Sequence, residues 1–222
     1  MAITQPPPRP SGKLAGVILL VSSALILGAL ALHPVAGTAP AADLMRRISA
    51  LAPQDEGVHG VLLLLIFAVS FAMSVFTIRR GIDQQAVLAA SIAFGAWGFA
   101  LVIAALIDGF LTPAIAALYL PAKGNDLSDA LGMLREGALF IQIVTKFGLV
   151  AGGTAALFWS LDLLRGPGWV RAVAVYGLIA GISTASIIAF TNNLTPQSLI
   201  GSLAPQVIWY AAAGVLLLRG DV

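Results

Sequence analysis

Residues 58–80 read VHGVLLLLIFAVSFAMSVFTIRR, an apolar run that ends at a pair of arginines. A helix that rises about 1.5 Å per residue needs about 20 apolar residues to cross ~30 Å of hydrocarbon. The apolar residues in this stretch are continuous rather than alternating, which favours a helix over a strand of a membrane barrel. The stretch therefore predicts a transmembrane helix from about residue 58 to residue 78.

Five more apolar runs of similar length occupy most of the chain. They lie at about residues 13–32, 85–110, 137–164, 170–190 and 203–218. Of the 222 residues, 59% are hydrophobic and only 10% are charged, and the mean hydropathy is +0.97. A soluble domain carries about 25% charged residues. The sequence therefore predicts an all-α polytopic membrane helix bundle with about six transmembrane helices.

Composition also excludes several kinds of chemistry and partner. The chain has no cysteine, which removes disulfides, iron–sulfur clusters and thiolate-bound zinc. Its net charge is +2 and it has no long basic run, so no nucleic-acid partner is expected. No cofactor is predicted. The expected partner is the lipid bilayer, and the sequence leaves open a protein partner or a homo-oligomer.

The regions outside the apolar runs divide the chain into a tail and one membrane domain. Residues 1–12 are rich in proline and predict a disordered cytoplasmic tail, and residues 13–222 form a single transmembrane domain. The first apolar run is longer than the core of a usual signal peptide, which favours a retained anchor over a cleaved signal. Residues 43–51 suit a short interfacial helix, residues 111–121 a half-buried or re-entrant segment, and residues 122–135 a polar loop.

Lysines and arginines predict the orientation. If the protein lies in the cell's inner membrane with both termini in the cytoplasm, seven of the twelve are inside and four outside, and Lys146 is not counted because it lies within a predicted span. The inner ones are Arg9, Lys13, Arg79, Arg80, Arg165, Arg171 and Arg219, and the outer ones are Arg46, Arg47, Lys123 and Arg135.

The two central helical hairpins carry similar flanking motifs. These are Glu56-Gly57 and Glu136-Gly137, then Arg80-Gly81 and Arg165-Gly166, then Leu111-Thr112-Pro113 and Leu194-Thr195-Pro196. The order predicts a parallel repeat of two hairpins, with coincidence among short motifs as the alternative. Glycines four residues apart, Gly148 and Gly152 in one helix and Gly177 and Gly181 in the next, predict close contact between those two helices.

Lys146 is the most informative candidate site residue. It lies about nine residues into the run that begins at Gly137, which is ~14 Å deep in a helix. A charge at that depth is costly, so the side chain should face the bundle interior or water. Gln142 lies one turn earlier, Asp108 is the acid nearest the interior, and Tyr176 and Ser183 are candidate partners. These five residues form a candidate intramembrane polar site, and the alternative is that Lys146 only fixes helix packing.

A second group of polar residues is expected at the outer mouth of the bundle. It includes His59, Glu136 and Asn192, with His33 and Asp108 at the same level. Two histidines with carboxylates are the minimum for a zinc or copper site. No His-x-x-x-His or comparable spacing is present, so no metal site is predicted.

Function stays open between three classes. The motifs of serine hydrolases, zinc proteases and phosphate-binding loops are absent from the sequence, and the tryptophans are expected near helix ends as interface anchors. These features favour a small non-enzymatic membrane component or accessory subunit. The first alternative is a small-solute or proton-coupled transporter that uses Lys146. The second is a membrane enzyme with a site at the outer face.

Overall fold

The computed structural model describes residues 11–33 and 40–222. Of these residues 87% are helical and none is in a strand. The predicted tail falls almost entirely outside the described residues. The helices are α1 (Lys13–Ala31), α2 (Ala41–Arg80), α3 (Gln85–Leu106), a π-helical turn (Ile107–Leu111), α4 (Thr112–Leu118), α5 (Gly124–Leu163), α6 (Gly168–Phe190) and α7 (Pro196–Arg219).

Six helical segments are long and apolar enough to cross a membrane, with α3, the π-helical turn and α4 counted as one segment. The all-helical architecture predicted from the apolar runs is therefore confirmed. The bundle has two ends, which we name from their residues. The histidine end is the end of the bundle where α1 ends, just before His33. The arginine end is the opposite end, where α2 ends at Arg80.

The helices α2 and α5 are each 40 residues long, or ~60 Å at about 1.5 Å per residue. Their first parts pack with α4 in a small separate core of Met45, Ala116 and Ala130. The predictions of a separate interfacial helix at 43–51 and a loop at 122–135 are therefore wrong in detail. Residues 43–51 lie within α2 and residues 124–135 within α5, because Met45 and its neighbours find an apolar partner there.

Within residues 111–121, the helical segment that begins at Gln85 continues to Leu118 without re-entering the bundle as a separate segment, and residues 119–121 form a turn. Pro113 has no N–H to donate within a helix and its ring crowds the preceding turn. The π-helical turn absorbs this interruption, since Thr112 donates its N–H to the carbonyl of Ile107, and its hydroxyl donates to the same carbonyl over 3.0 Å. Asp108 lies on this turn, which sets its position against α2.

The predicted glycine contact between α5 and α6 is correct for the glycines of α6 and not for those named on α5. A β-carbon on Gly181 of α6 would lie 2.6 Å from the carbonyl oxygen of Gly153 in α5, so these backbones do touch. In contrast, Gly148 and Gly152 face α3 and α7, where Gly152 accommodates Trp97 and Gln206. The neighbouring Gly153, and not the predicted pair, forms the α5 side of the contact.

The large aromatic residues fill the centre of the bundle. Trp97, Trp159, Trp209 and Tyr210 are all at most 1% exposed, and the rings of Trp159 and Trp209 stack with centroids 5.6 Å apart. Their prediction as interface anchors is wrong, because the glycines and alanines of adjacent helices leave room for them in the core. Trp169 differs, with 47% of its surface exposed.

Candidate functional site

His33, His59 and Asp108 meet at the histidine end, although they come from three separate elements. The Nε2 atom of His59 lies 3.4 Å from Oδ2 of Asp108, and Nε2 of His33 lies 3.5 Å from the same oxygen. The two imidazole rings meet edge to face with centroids 5.0 Å apart. We call these three residues the histidine cluster.

Asp55 holds His59 from the opposite side of the ring. Nδ1 of His59 lies 2.9 Å from the carbonyl oxygen of Asp55 and 3.0 Å from its carboxylate oxygen Oδ1. Two oxygens facing one nitrogen require that Nδ1 carries the proton and donates. In the neutral ring the lone pair is then on Nε2, which faces Asp108.

Gly109 lets His59 lie directly against the backbone of the π-helical turn. A β-carbon at Gly109 would overlap the His59 ring and lie 2.7 Å from its Nδ1. The His59 side chain is only 4% exposed, whereas those of His33 and Asp108 are 29% and 34% exposed. The cluster therefore has one fixed, buried member and two members that face open space.

Two adjoining cavities begin at the cluster. The first, of about 120 Å³, runs inward between aliphatic and aromatic side chains to Trp97 and Tyr210. The second, of about 330 Å³, lies beside it and is bounded by α1, α5 and the start of α7. His33, Asp108 and Thr145 line both. We call the two cavities together the chamber. It is mainly apolar, with its titratable groups at one end.

The floor of the first cavity carries buried donors. The indole N–H of Trp97 and the hydroxyl of Tyr210 have no hydrogen-bond partner within the described part of the chain. Near them the Gln206 side chain is fully buried and donates to the carbonyl of Leu149 over 3.0 Å. These polar atoms are buried beneath the apolar lining of the cavity.

Lys146 and Gln142 lie together on α5, where they bind the end of α6. Nζ of Lys146 donates to the carbonyl oxygens of Thr191 and Asn192 over 2.8 and 2.6 Å. Gln142 donates to the carbonyl of Leu194 over 3.2 Å and accepts its N–H over 2.7 Å. A cation is favourable at the C-terminal end of a helix, so this pair anchors the α6–α7 loop.

The remaining predicted site residues lie apart from Lys146. Tyr176 donates its hydroxyl to the carbonyl of Pro205 over 3.2 Å, and Ser183 donates to the carbonyl of Ala180 over 3.0 Å. Asn192 contributes its backbone carbonyl to Lys146, and Glu136 is exposed on α5. The structure thus brings Asp108 and Gln142 to one cavity, but it does not bring Tyr176 or Ser183 to Lys146.

Sequence reasoning missed Asp55 as the partner of His59. The signal was present, because residues four apart lie on the same face of a helix and Asp55 precedes His59 by one turn. No such signal in the sequence indicated that Trp97 and Tyr210 lie at the inner end of the first cavity, since their position depends on which helices pack together.

Comparison with known proteins gives no assignment: the chain matches no family model, no curated protein and no solved structure.

Proposed function

We propose that the protein is an integral protein of the inner membrane that crosses the bilayer six times with both termini in the cytoplasm. The support is the six apolar helices, the outward-facing apolar side chains such as Leu64 and Phe99, exposed by 71% and 70%, and the distribution of basic residues. Side chains of this kind are stable only if lipid covers them. In this orientation the histidine end faces outward.

We also propose that the two central hairpins are a parallel repeat. Each begins with a 40-residue helix, α2 or α5, followed by a helix of 22 or 23 residues, α3 or α6. The matching Leu-Thr-Pro motifs then lead into α4 and α7. Equal helix lengths in the same order support duplication over coincidence.

For the function, we propose a membrane enzyme that acts on the polar end of an amphipathic molecule. The observation that carries this proposal is that the histidine cluster lies at the mouth of a mainly apolar chamber. A binding site for an amphiphile needs apolar walls for its chain and a few converging polar groups for its head. The chamber combines both.

His59 is the residue suited to proton transfer. Asp55 fixes its orientation through Nδ1, so that Nε2 faces Asp108 and the chamber. A histidine oriented in this way by a carboxylate can accept a proton from a bound group or from water.

The other two functional classes have weaker support. The transporter alternative rested on Lys146, Gln142, Asp108 and the possible repeat. The contacts of Lys146 and Gln142 at the end of α6 account for these two residues by helix capping. The accessory-subunit prediction offers no role for the histidine cluster or the chamber. A protein partner or a second copy of the chain remains compatible with the enzyme.

The test is to identify small molecules that copurify with the protein. Wild type, Ala104→Phe and His59→Gln are purified from the same cells, and their extracts are compared by mass spectrometry. Ala104 is 7% exposed and lines the chamber, so a phenylalanine there fills it. Thr145→Phe is a second filling variant from a half-buried position. The matched control is Ala138→Phe, which adds the same side chain at an exposed position of α5.

We expect an amphiphile in the wild type and the control, and at least a tenfold loss in both filling variants. We expect His59→Gln to retain the amphiphile and to be enriched in its unprocessed form. If the wild type carries no amphiphile, or if both filling variants keep it, the proposed binding site is wrong. An identical extract from His59→Gln and the wild type would contradict the enzyme.

A further inference from the structure

We propose that Nε2 of His33, Nε2 of His59 and Oδ2 of Asp108 bind a divalent transition metal ion of the zinc class. The inference deepens the proposed function, and it rests on that function only for the role of the metal. The binding itself is argued from the geometry of the cluster.

The first argument is that acceptors face one another. Nδ1 of His59 lies against two oxygens of Asp55 and carries the ring proton, so a neutral His59 presents a lone pair at Nε2. That lone pair faces a carboxylate oxygen of Asp108, which also accepts. Two acceptors are stable in this arrangement only with a cation between them, either a proton or a metal ion.

The two distances to Asp108 fit a metal ion. A proton shared between imidazole and carboxylate gives an N–O distance of about 2.7–2.9 Å. Two ligands at about 2.0–2.1 Å from a tetrahedral zinc ion are ~3.4 Å apart. The observed distances to Oδ2 of Asp108 are 3.4 Å from His59 and 3.5 Å from His33. These two of the three edges of the proposed site have the length of an edge of a zinc tetrahedron.

The surrounding residues support the same assignment. A metal-bound histidine commonly donates its other N–H to a carboxylate or a carbonyl, and Asp55 provides both for His59. A carboxylate oxygen of Asp55 also lies within 4.8 Å of ring nitrogens of His33 and His59, so it adds negative charge to the site. Two imidazoles and a carboxylate select zinc or its neighbours over magnesium or calcium.

The ligand count fits a catalytic centre. Structural zinc sites have four protein ligands, whereas catalytic sites have three and leave one position open. The cluster provides three ligands, and both His33 and Asp108 line the chamber. With zinc bound, Nε2 of His59 would be a ligand and no longer a proton acceptor. The ion would instead lower the pKa of a bound water molecule, which would take over the proton transfer, and it would polarise the head of the amphiphile.

The test is a metal titration of the full chain. The chain has two histidines and no cysteine, so a protein purified without a histidine tag has few competing sites. After chelation, Zn²⁺ is added and bound metal is counted by mass spectrometry, and Co²⁺ reports tetrahedral coordination by its absorption spectrum. The variants are His33→Gln, Asp108→Asn and Asp55→Asn, with Glu136→Gln as the control because Glu136 is an exposed acid on α5.

We expect one zinc ion per wild-type and control chain, and more than about 100-fold weaker binding in His33→Gln and Asp108→Asn. Asp55→Asn should lose about 10–100-fold, as expected for a residue that positions a ligand. Zinc should also raise the melting temperature of the wild type and not that of His33→Gln. His33 is half-exposed, so this variant is expected to fold.

Failure of the metal site is distinguishable from failure of the proposed function. Absence of zinc binding by the wild type, or equal binding by Asp108→Asn, would overturn the inference even if an amphiphile copurifies. If the chamber-filling variant Ala104→Phe keeps its zinc ion and loses the amphiphile, this would support a metal site and an apolar binding chamber as two separable parts of one site.

Discussion

His59 and Asp108 come from different helical segments, yet Nε2 of one lies 3.4 Å from Oδ2 of the other. Two features of the chain produce this contact. Pro113 interrupts α3 and produces the π-helical turn that carries Asp108, and Gly109 leaves room for the His59 ring. π-Helical turns are rare and often occur at functional sites, and this one positions a candidate ligand.

The space at Gly109 predicts the effect of adding a methyl group. Gly109→Ala would place a β-carbon that overlaps Cβ and Cγ of His59, so we expect a loss of about 1–3 kcal/mol of stability from overpacking. Gly95→Ala is the control, because a β-carbon there meets nothing within 4 Å, and alanine stabilises a helix by up to about 1 kcal/mol over glycine. Thermal unfolding in detergent measures both, and equal effects would contradict the close packing of His59.

Lys146 is expected to stabilise the α6–α7 loop and to have no part in the chemistry. Lys146→Met removes the ammonium from the carbonyls of Thr191 and Asn192, which should cost about 1 kcal/mol of stability. Lys146→Arg, which keeps the charge, is the control. The bound amphiphile should be unchanged in both. If Lys146→Met keeps normal stability but loses the amphiphile, Lys146 is part of the functional site.

The contact between α5 and α6 makes a separate prediction. In Gly181→Ala the new methyl group meets the Gly153 carbonyl, so we expect about 1–3 kcal/mol of destabilisation. Gly132→Ala, where the added carbon meets nothing within 4 Å, should be neutral or stabilising. Urea or thermal unfolding of the two variants tests the difference. A neutral Gly181→Ala would show that the two backbones are farther apart.

Much of the fold was predictable from the sequence, because apolar runs of about 20 residues fix the helices directly. The lengths of α2 and α5 were not, since their first halves are stabilised by contacts between Met45, Ala116 and Ala130. The site was predictable only in part. His33, His59 and Asp108 were expected at one outer mouth, but the absence of a local ligand spacing argued against a metal site. The contact of both rings with one carboxylate oxygen depends on tertiary packing.

The proposed orientation predicts the location of reporters fused along the chain. Fusions after residues 50, 82, 125, 167 and 222 should report outside, inside, outside, inside and inside, because this orientation would place seven basic residues on the inner side and four on the outer side. Paired reporters that are active on opposite sides of the membrane provide the control. A C-terminal fusion active only outside would contradict six crossings with both termini in the cytoplasm.

The central claim is that His33, His59 and Asp108 form one site, and histidine-labelled NMR tests it most directly. The chain has two histidines, so ¹⁵N-labelled histidine gives the ring signals of those two residues alone. Asp108→Asn should shift the signals of both rings, because Oδ2 of Asp108 faces both. Asp126→Asn, an exposed acid at the start of α5, should shift neither. If Asp108→Asn leaves either ring unchanged, the two histidines do not share this carboxylate and the account of the site is wrong.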